Sequence, residues 1–339
     1  MAGQGRAGGG APARPSLDLK GWRAPSPTTG RTSPSNDTRW AAVVAAALFL
    51  GCGAPEAEGD GGTTEAPRSG SADQEVILVT GSTDGMGRAL ALELGSMGAH
   101  VIIHGRNEER GEEVVRLIEE EGAGSARFIR ADPASFDEVR ALARTILDEY
   151  DRLDVLVNNA GIGRGADQTL REVSQDGREL RFQVNYLSGF LLTHELLPLL
   201  RASAPARIVN VAAGAQTPID FDDVMLEREY DGSTAYAQSK LAQILFTFDL
   251  AEELEGTGVT VNALHPASMM PTTMVLERGG EPRSEIEEGV EAVLNLVKAP
   301  DLGSGRYFSG TNAGRAHDQT YDEEARRKLR ELSWELTGR

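Results

Sequence analysis

From residue 74 onward, short apolar runs alternate with stretches of helical spacing. Glu75-Val-Ile-Leu-Val-Thr80 is a continuous apolar run that ends in a turn, the pattern of a strand buried on both faces of a parallel sheet. Gly85–Met97 follows as a helix and His100–His104 as a second strand. Asn107–Glu121 predicts a helix, with Asn107 as N-cap and Gly122 as its stop. Ala126–Ala131 is a third strand, and Ser135–Tyr150 a helix opened by a Ser135/Glu138 capping box. Leu153–Asn158 predicts a fourth strand, Arg178–Arg201 a long helix, Arg207–Ala212 a fifth strand and Thr234–Glu255 a helix. Val259–Leu264 predicts a sixth strand, and Arg306–Ser309 a seventh at the sheet edge. Strands alternating with helices imply right-handed βαβ units. The fold class is therefore α/β: a single Rossmann-type doubly wound parallel sheet with helices on both faces, forming one domain over 72–339.

Residues 1–71 break the pattern. They are rich in Gly, Ala, Pro, Ser and Thr and have no amphipathic period, which predicts a disordered extension. Within it, segment 40–52 carries an apolar run, Ala41–Gly51, preceded by 39 residues with six basic and two acidic side chains. The run is too short to span a bilayer and suits the h-region of an export signal. Gly51-Cys52 resembles a bacterial lipobox, in which the cysteine is lipidated and tethers the chain to a membrane, with 53–71 as a flexible leash. Phe49 departs from the usual leucine and the n-region is long, so a plain extension or an upstream start codon stays open beside it. Location stays open in the same way, between the cytoplasm and a membrane-anchored lipoprotein held through Cys52.

Composition narrows the function. The 339 residues hold 34 basic and 52 acidic side chains, a net charge of −18 with no basic cluster, which argues against a nucleic-acid partner. Cys52 is the only cysteine, so no internal disulfide forms. The five histidines are scattered and no Cys/His group has metal-ligand spacing, so no metal is expected.

Two stretches carry chemistry. Thr80-Gly-Ser-Thr-Asp-Gly-Met-Gly87 is a Gly-rich turn between the first strand and the first helix. Glycine allows a tight turn and a close backbone approach to a pyrophosphate, and the following helix N-terminus offers free N–H groups to it. Tyr236 and Lys240 stand at i and i+4, on one helix face. An ammonium beside a phenol favours the phenolate, which suits the pair to proton transfer near neutral pH.

Thr-Gly-x-x-x-Gly-x-Gly at 80–87, Asn158-Asn159-Ala160-Gly161, Asn185 in Val-Asn-Tyr, and Tyr236-x-x-x-Lys240 stand in the order and spacing of the short-chain dehydrogenases/reductases. The chain resembles that family over about 74–317, and the run Ala235–Phe246 and the long segment 212–235 resemble its retinol-dehydrogenase-like branch and bacterial relatives. The resemblance implies that Gly81, Gly85 and Gly87, with Ser82, Thr83 and Met86 between them, bind the cofactor. It implies that Asp132 meets the adenine ring, and that Asn158, Ala160 and Gly161 line the cofactor and steady the sheet. Tyr236 becomes the acid/base, Lys240 reaches the nicotinamide ribose, and Asn185 holds a water that links Lys240 to solvent. His265-Pro266 and Thr272 resemble the loop that closes over the nicotinamide, with Ala267 where the family usually has glycine.

Two positions decide finer points. The family's acid for the ribose 2′-hydroxyl falls on Gly105, and Arg106 follows it, able to clamp a 2′-phosphate. NADP is favoured on that ground; Asp84 in the turn counts against it and leaves NAD open. Ala213 falls where the family has a serine that donates to the reacting oxygen, and loss of such a donor costs roughly 10²–10³ in rate. Thr217 and Ser233 are the nearby hydroxyls that could substitute. Two functions follow: hydride transfer between NADP and an alcohol or carbonyl, or dinucleotide binding with little turnover. Phe221, Met225, Met269, Met270, Met274 and Leu276, in segments 217–231 and 269–282, suggest a small lipophilic substrate. A homo-oligomer is compatible with the resemblance. Exported proteins meet little nicotinamide dinucleotide, so the lipobox and the reductase pull in opposite directions.

Overall fold

The computed structural model describes residues 74–277 and 279–338; the extension 1–71, with its lipobox-like segment and Cys52, lies outside them. The first half runs β1 (Val76–Val79), α1 (Gly85–Ser96), β2 (His100–Gly105), α2 (Glu108–Glu121), β3 (Ser125–Arg130), α3 (Phe136–Glu149) and β4 (Val155–Asn158). The second half runs α4 (Leu180–Phe182), a π turn (Gln183–Leu187), α5 (Ser188–Ala202), β5 (Ala206–Val211), α6 (Gly232–Glu253) and β6 (Val259–His265). It closes with α7 (Thr273–Leu276), α8 (Ile286–Lys298), β7 (Arg306–Ser309), β8 (Asn312–Gly314), a 3₁₀ turn (Asp318–Tyr321) and α9 (Glu323–Thr337).

The strands form one sheet in the order β3-β2-β1-β4-β5-β6-β7-β8. Its neighbours are parallel except β7 and β8, and Ile77 of β1 lies opposite Val101 on one side and Val155 on the other. Successive side chains of a strand point to opposite faces. Val76 and Leu78 therefore join the core formed with α3, α5 and α6, while Ile77 and Val79 join the one formed with α1, α2 and α8. The chain steps outward from β1 to β3 and then returns to β4. The carboxyl ends of β1 and β4 thus flank the switch point where ligands bind in such sheets.

Several local expectations hold in part. Asn107 caps α2 through the Arg110 N–H, and Gly122 ends it at φ 76°. Ser135 accepts from the Glu138 N–H, but the Glu138 carboxylate accepts from Asp132 N (2.9 Å) and pairs with Arg130 (3.0 Å). Only half the capping box forms, and Glu138 instead ties down the exit of β3. The long helix expected over Arg178–Arg201 begins at Leu180, where Glu179 caps the Phe182 N–H, and passes through the π turn before α5. A π turn inserts an extra residue and re-aims the side chains around it; Asn185 sits inside this one. The helix over Thr234–Glu255 starts earlier, at Gly232, capped by Asp231. Arg306–Ser309 is not the edge, because β8 pairs on its outer side.

Helices α8 and α9 were not expected. Val290, Val293 and Val297 of α8 face α1 at helical spacing. Trp334 of α9 packs on Phe190 (4.8 Å between centroids) and His194 (4.3 Å). Among the described residues no helix is long and apolar enough to cross a membrane.

Candidate active site

The Gly-rich turn is built from backbone and held by β2. Gly81 (φ 65°) and Gly85 (φ 53°) adopt left-handed conformations that glycine tolerates best. A Cβ on Gly87 would stand 2.2 Å from the Gly81 carbonyl oxygen and 2.4 Å from Asn159 Nδ2. His104 Nδ1 accepts from Gly81 N (3.1 Å), and burial lowers its pKa to about 4, so the ring stays neutral and able to accept. Ser82 is buried, with its hydroxyl donating to the Val79 carbonyl (2.7 Å), and Met86 packs into the core beside α8. Of the turn residues between the glycines, Thr83 bears on the β2 exit: a Cβ on Gly105 would meet its side chain at 2.6 Å. An acid at that position would displace Thr83. Exposed Arg106 follows directly. Asp84 caps α1, pairs with Arg110 (3.3 Å) and accepts from the Thr273 hydroxyl (2.6 Å). Its charge is thus countered, and it fastens the 268–276 segment to the turn.

Across the switch point, Thr80 Oγ1 accepts from Asn159 N (2.9 Å) and Ala160 N (3.0 Å). Asn159 Nδ2 returns to the carbonyls of Thr80 (2.8 Å) and Gly81 (3.1 Å). Asn158 Nδ2 donates to Thr193 (3.0 Å) and to Asn210 Oδ1 (2.8 Å), and Asn210 donates on to Thr247 (2.8 Å). Asn158 therefore links β4, β5, α5 and α6. Asp132 sits at the exit of β3 and accepts from Ala134 N (3.0 Å).

Tyr236 and Lys240 lie in the first turns of α6. Lys240 is 4% exposed, and burial alone lowers its pKa to about 7. Its ammonium donates to the Val211 carbonyl (2.7 Å) and to Gln243 Oε1 (3.0 Å), and lies 3.5 Å from where a Cβ on Gly161 would stand. Asn185 accepts from Ile162 N (2.7 Å) and donates to the Ile162 carbonyl (3.2 Å) and Ser239 Oγ (2.9 Å). Its side chain thus joins the segment after β4 to α6.

Ala213 is buried, its carbonyl accepting from Gln216 (3.2 Å) and the Tyr307 hydroxyl (3.2 Å). Ser233 donates to Gln168 (2.6 Å), and Thr217 is half-buried on the segment after β5. His265 lies against Gly214, 3.3 Å from a Cβ built there, with its ring near Ser268 Oγ (3.0 Å). Pro266 is buried just past β6, and the methyl of Thr272 lies 3.2 Å from a Cβ built on Gly85. The apolar residues expected around a substrate divide. Phe221 and Met225 pack on one core and Met270 on the other, and Met225 Sδ accepts from Glu179 N (3.3 Å). Met274 borders Gly163, and Leu276 is exposed. Beneath this segment, Arg181 (1% exposed) joins Glu172 (2.6 Å), Glu179 (3.5 Å) and the Gly163 carbonyl (3.2 Å).

Four residues of the site had no expected role. Thr80 and Asn159 stood inside recognised motifs, His104 beside the cofactor-selecting position, and Gln243, three residues past Lys240, inside the run Ala235–Phe246.

The fold and the site define a dinucleotide-type α/β oxidoreductase scaffold. The family model for short chain dehydrogenase matches residues 75–281, and the chain belongs to that family. Human Retinol dehydrogenase 13 is 37% identical over 296 residues, covering 80% of this chain and 87% of that protein. Human Retinol dehydrogenase 14 is 37% identical over 295 residues, covering 78% and 86%. Among solved structures, a metagenomic short-chain oxidoreductase in complex with NADP aligns with TM-score 0.55 at 28% identity, covering 68% of this chain and 93% of that one. The Pseudomonas aeruginosa RhlG/NADP active-site complex aligns with TM-score 0.57 at 29% identity, covering 69% and 94%. Within the family the chain is retinol-dehydrogenase-like.

Proposed function

We propose that this oxidoreductase is NADP-linked and passes hydride between the nicotinamide and an alcohol or carbonyl carbon of a small lipophilic substrate. The observation that carries the proposal is the meeting of the Gly-rich turn, the Asn158–Gly161 segment and Lys240 at one end of the sheet. The turn suits a pyrophosphate, because its glycines let the backbone close up where a Cβ would strike Ala160, Thr272 or the Gly81 carbonyl, and the start of α1 offers free N–H groups. The β2 exit suits a 2′-phosphate. Gly105 leaves no room for an acid beside Thr83, Arg106 is exposed, and Arg110 counters the charge of Asp84. The two NADP complexes among the similar structures support that choice. The names of the retinol dehydrogenase relatives support a lipophilic alcohol or aldehyde.

When bound, the nicotinamide supplies or takes the hydride. Tyr236 gives a proton to the carbonyl oxygen in reduction and takes it from the alcohol in oxidation. Lys240 holds positive charge beside that exchange. The 268–276 segment, fastened through Asp84 and Thr273, shields the reacting carbon from water.

A second reading, dinucleotide binding with little turnover, rests on Ala213. Its methyl cannot donate, and the Ser233 hydroxyl is already given to Gln168. Assaying a panel of aldehydes and ketones with NADPH, for the parent chain and Ala213→Ser, separates the two. Turnover by the parent that rises about tenfold or more in Ala213→Ser supports the enzyme. NADPH binding without turnover by either chain leaves the second reading. The tether through Cys52 remains a proposal beside both; an intact mass that begins at a lipidated Cys52 supports it, and an unprocessed N-terminus sinks it.

A further inference from the structure

Lys240 stands out as a buried cation with no carboxylate to neutralise it. An ammonium has three N–H donors and no acceptor. Two of them are accounted for by the Val211 carbonyl at 2.7 Å and Gln243 Oε1 at 3.0 Å. The first is backbone and fixed by the β5–β6 pairing, where Val211 lies opposite Leu264. The second is a side chain, 3% exposed, one turn further along the same helix. The Gln243 main chain is itself anchored: its carbonyl accepts from Thr247 Oγ1 (2.8 Å), which in turn accepts from Asn210 (2.8 Å). Asn210 accepts from Asn158 at the switch point (2.8 Å). Gln243 thus stands at the end of a buried polar chain that begins where the cofactor segment leaves β4.

We infer that Gln243 is a positioning residue that holds the Lys240 ammonium against the Val211 carbonyl, leaving its third N–H for the catalytic cleft. The inference rests on the reading of Lys240 as partner of Tyr236. The groups around the ammonium are the Val211 carbonyl of β5, Gln243 of α6, and the Gly161 and Asn185 pair beyond them; Tyr236 stands one turn earlier on α6. No charged neighbour shifts Lys240; burial alone pulls it down to about 7. A neutral acceptor pointed at the ammonium favours the charged form, so removing it lowers the titration further and a carboxylate in its place raises it. An inert packing residue would not give opposite shifts.

Lysine titration reads this directly, without cofactor or turnover. The chain has four lysines, Lys20, Lys240, Lys298 and Lys328, so the Cε resonances of lysine-labelled full-length protein are few. The parent is expected to show one lysine titrating near 7. Gln243→Leu should lower that midpoint by about one unit, and Gln243→Glu should raise it by about one unit or more. With NADPH and a carbonyl substrate, Gln243→Leu should lose about tenfold in kcat at neutral pH, while KM for the carbonyl stays within about twofold. Midpoints within about 0.2 units of the parent in the folded variants would overturn the inference. If one variant does not fold, the sign of the shift in the other decides. If the midpoints move as expected and no chain reduces any carbonyl, the proposed oxidoreductase mechanism falls and the pairing of Gln243 with Lys240 stands.

Discussion

The Gly-rich turn and the surroundings of Lys240 both border the Asn158–Gly161 segment and are built by opposite means. The turn is made by what is absent. Gly81 and Gly85 take left-handed backbone, and Gly87 leaves room for a carbonyl that a Cβ would strike. Many of its contacts run to main-chain groups, with His104 and Asn159 among the side chains that hold it. The Lys240 surroundings are made by polar side chains that meet across long stretches of chain. Asn158 reaches Asn210 over 52 residues, Asn185 reaches Ser239 over 54, and Lys240 reaches the Val211 carbonyl over 29. A backbone cradle fails by steric intrusion, whereas a buried polar network fails when one partner is removed and the others are stranded.

Four perturbations sharpen that contrast. The largest effect is expected on the Lys240 side. Tyr236→Phe should lower kcat by about 10²–10⁴ while NADPH affinity hardly moves, since the ring remains and only the proton carrier is lost. A parallel loss of NADPH affinity, read by fluorescence titration, would mean that Tyr236 shapes the site rather than serving the chemistry.

Acid should open the turn. His104 titrates at about 4 in the folded chain against 6.5 as its ordinary value, because burial disfavours the charged ring. The unfolded chain therefore takes up the proton first. The stabilisation from neutral His104 is complete above pH 6.5 and drains away as pH falls toward 4, by about 3 kcal/mol at most. Urea midpoints between pH 7 and 4 should fall less in His104→Asn than in the parent, once the parallel contribution of buried His100 is allowed for. Equal slopes would remove His104 from the account.

Gly87→Ala should intrude on the Gly81 carbonyl and weaken NADPH binding by about ten- to a hundredfold, the range expected when a close-packed site is overfilled by one methyl. Calorimetric titration measures it. Unchanged affinity would mean that the turn relaxes freely and is not a rigid cradle.

The smallest effect is expected at the rim. Arg106→Ala should reduce the preference for NADPH over NADH by about tenfold, because an exposed ion pair is screened by water. Equal affinities for the two cofactors in the parent chain would remove the 2′-phosphate assignment outright.

What the sequence determined by itself is whatever is encoded locally. Strands β1 to β6 were legible because apolar runs buried on both faces leave few alternatives, and the caps at Asn107 and Gly122 were legible because they act within a few residues. The left-handed backbone of Gly81 and Gly85 was readable for the same reason, whereas the close approach of Ala160, Thr272 and Asn159 to the turn was not. Helix α8 could have been read from Val290, Val293 and Val297, whose spacing carries it. The tertiary structure alone decided what depends on distant partners. The Glu138 carboxylate turns to Asp132 N and Arg130 rather than back to the Ser135 N–H, because the exit of β3 offered an N–H and a cation. The π turn around Asn185 breaks one expected helix into two pieces. Phe221, Met225 and Met270, named as candidate substrate contacts, are half-buried and also lean on the cores, since apolar side chains bury against whatever surface the fold brings near. The partners of Lys240 were beyond sequence reasoning, because only the pairing of β5 with β6 and the packing of α6 bring the Val211 carbonyl and Gln243 to one buried ammonium.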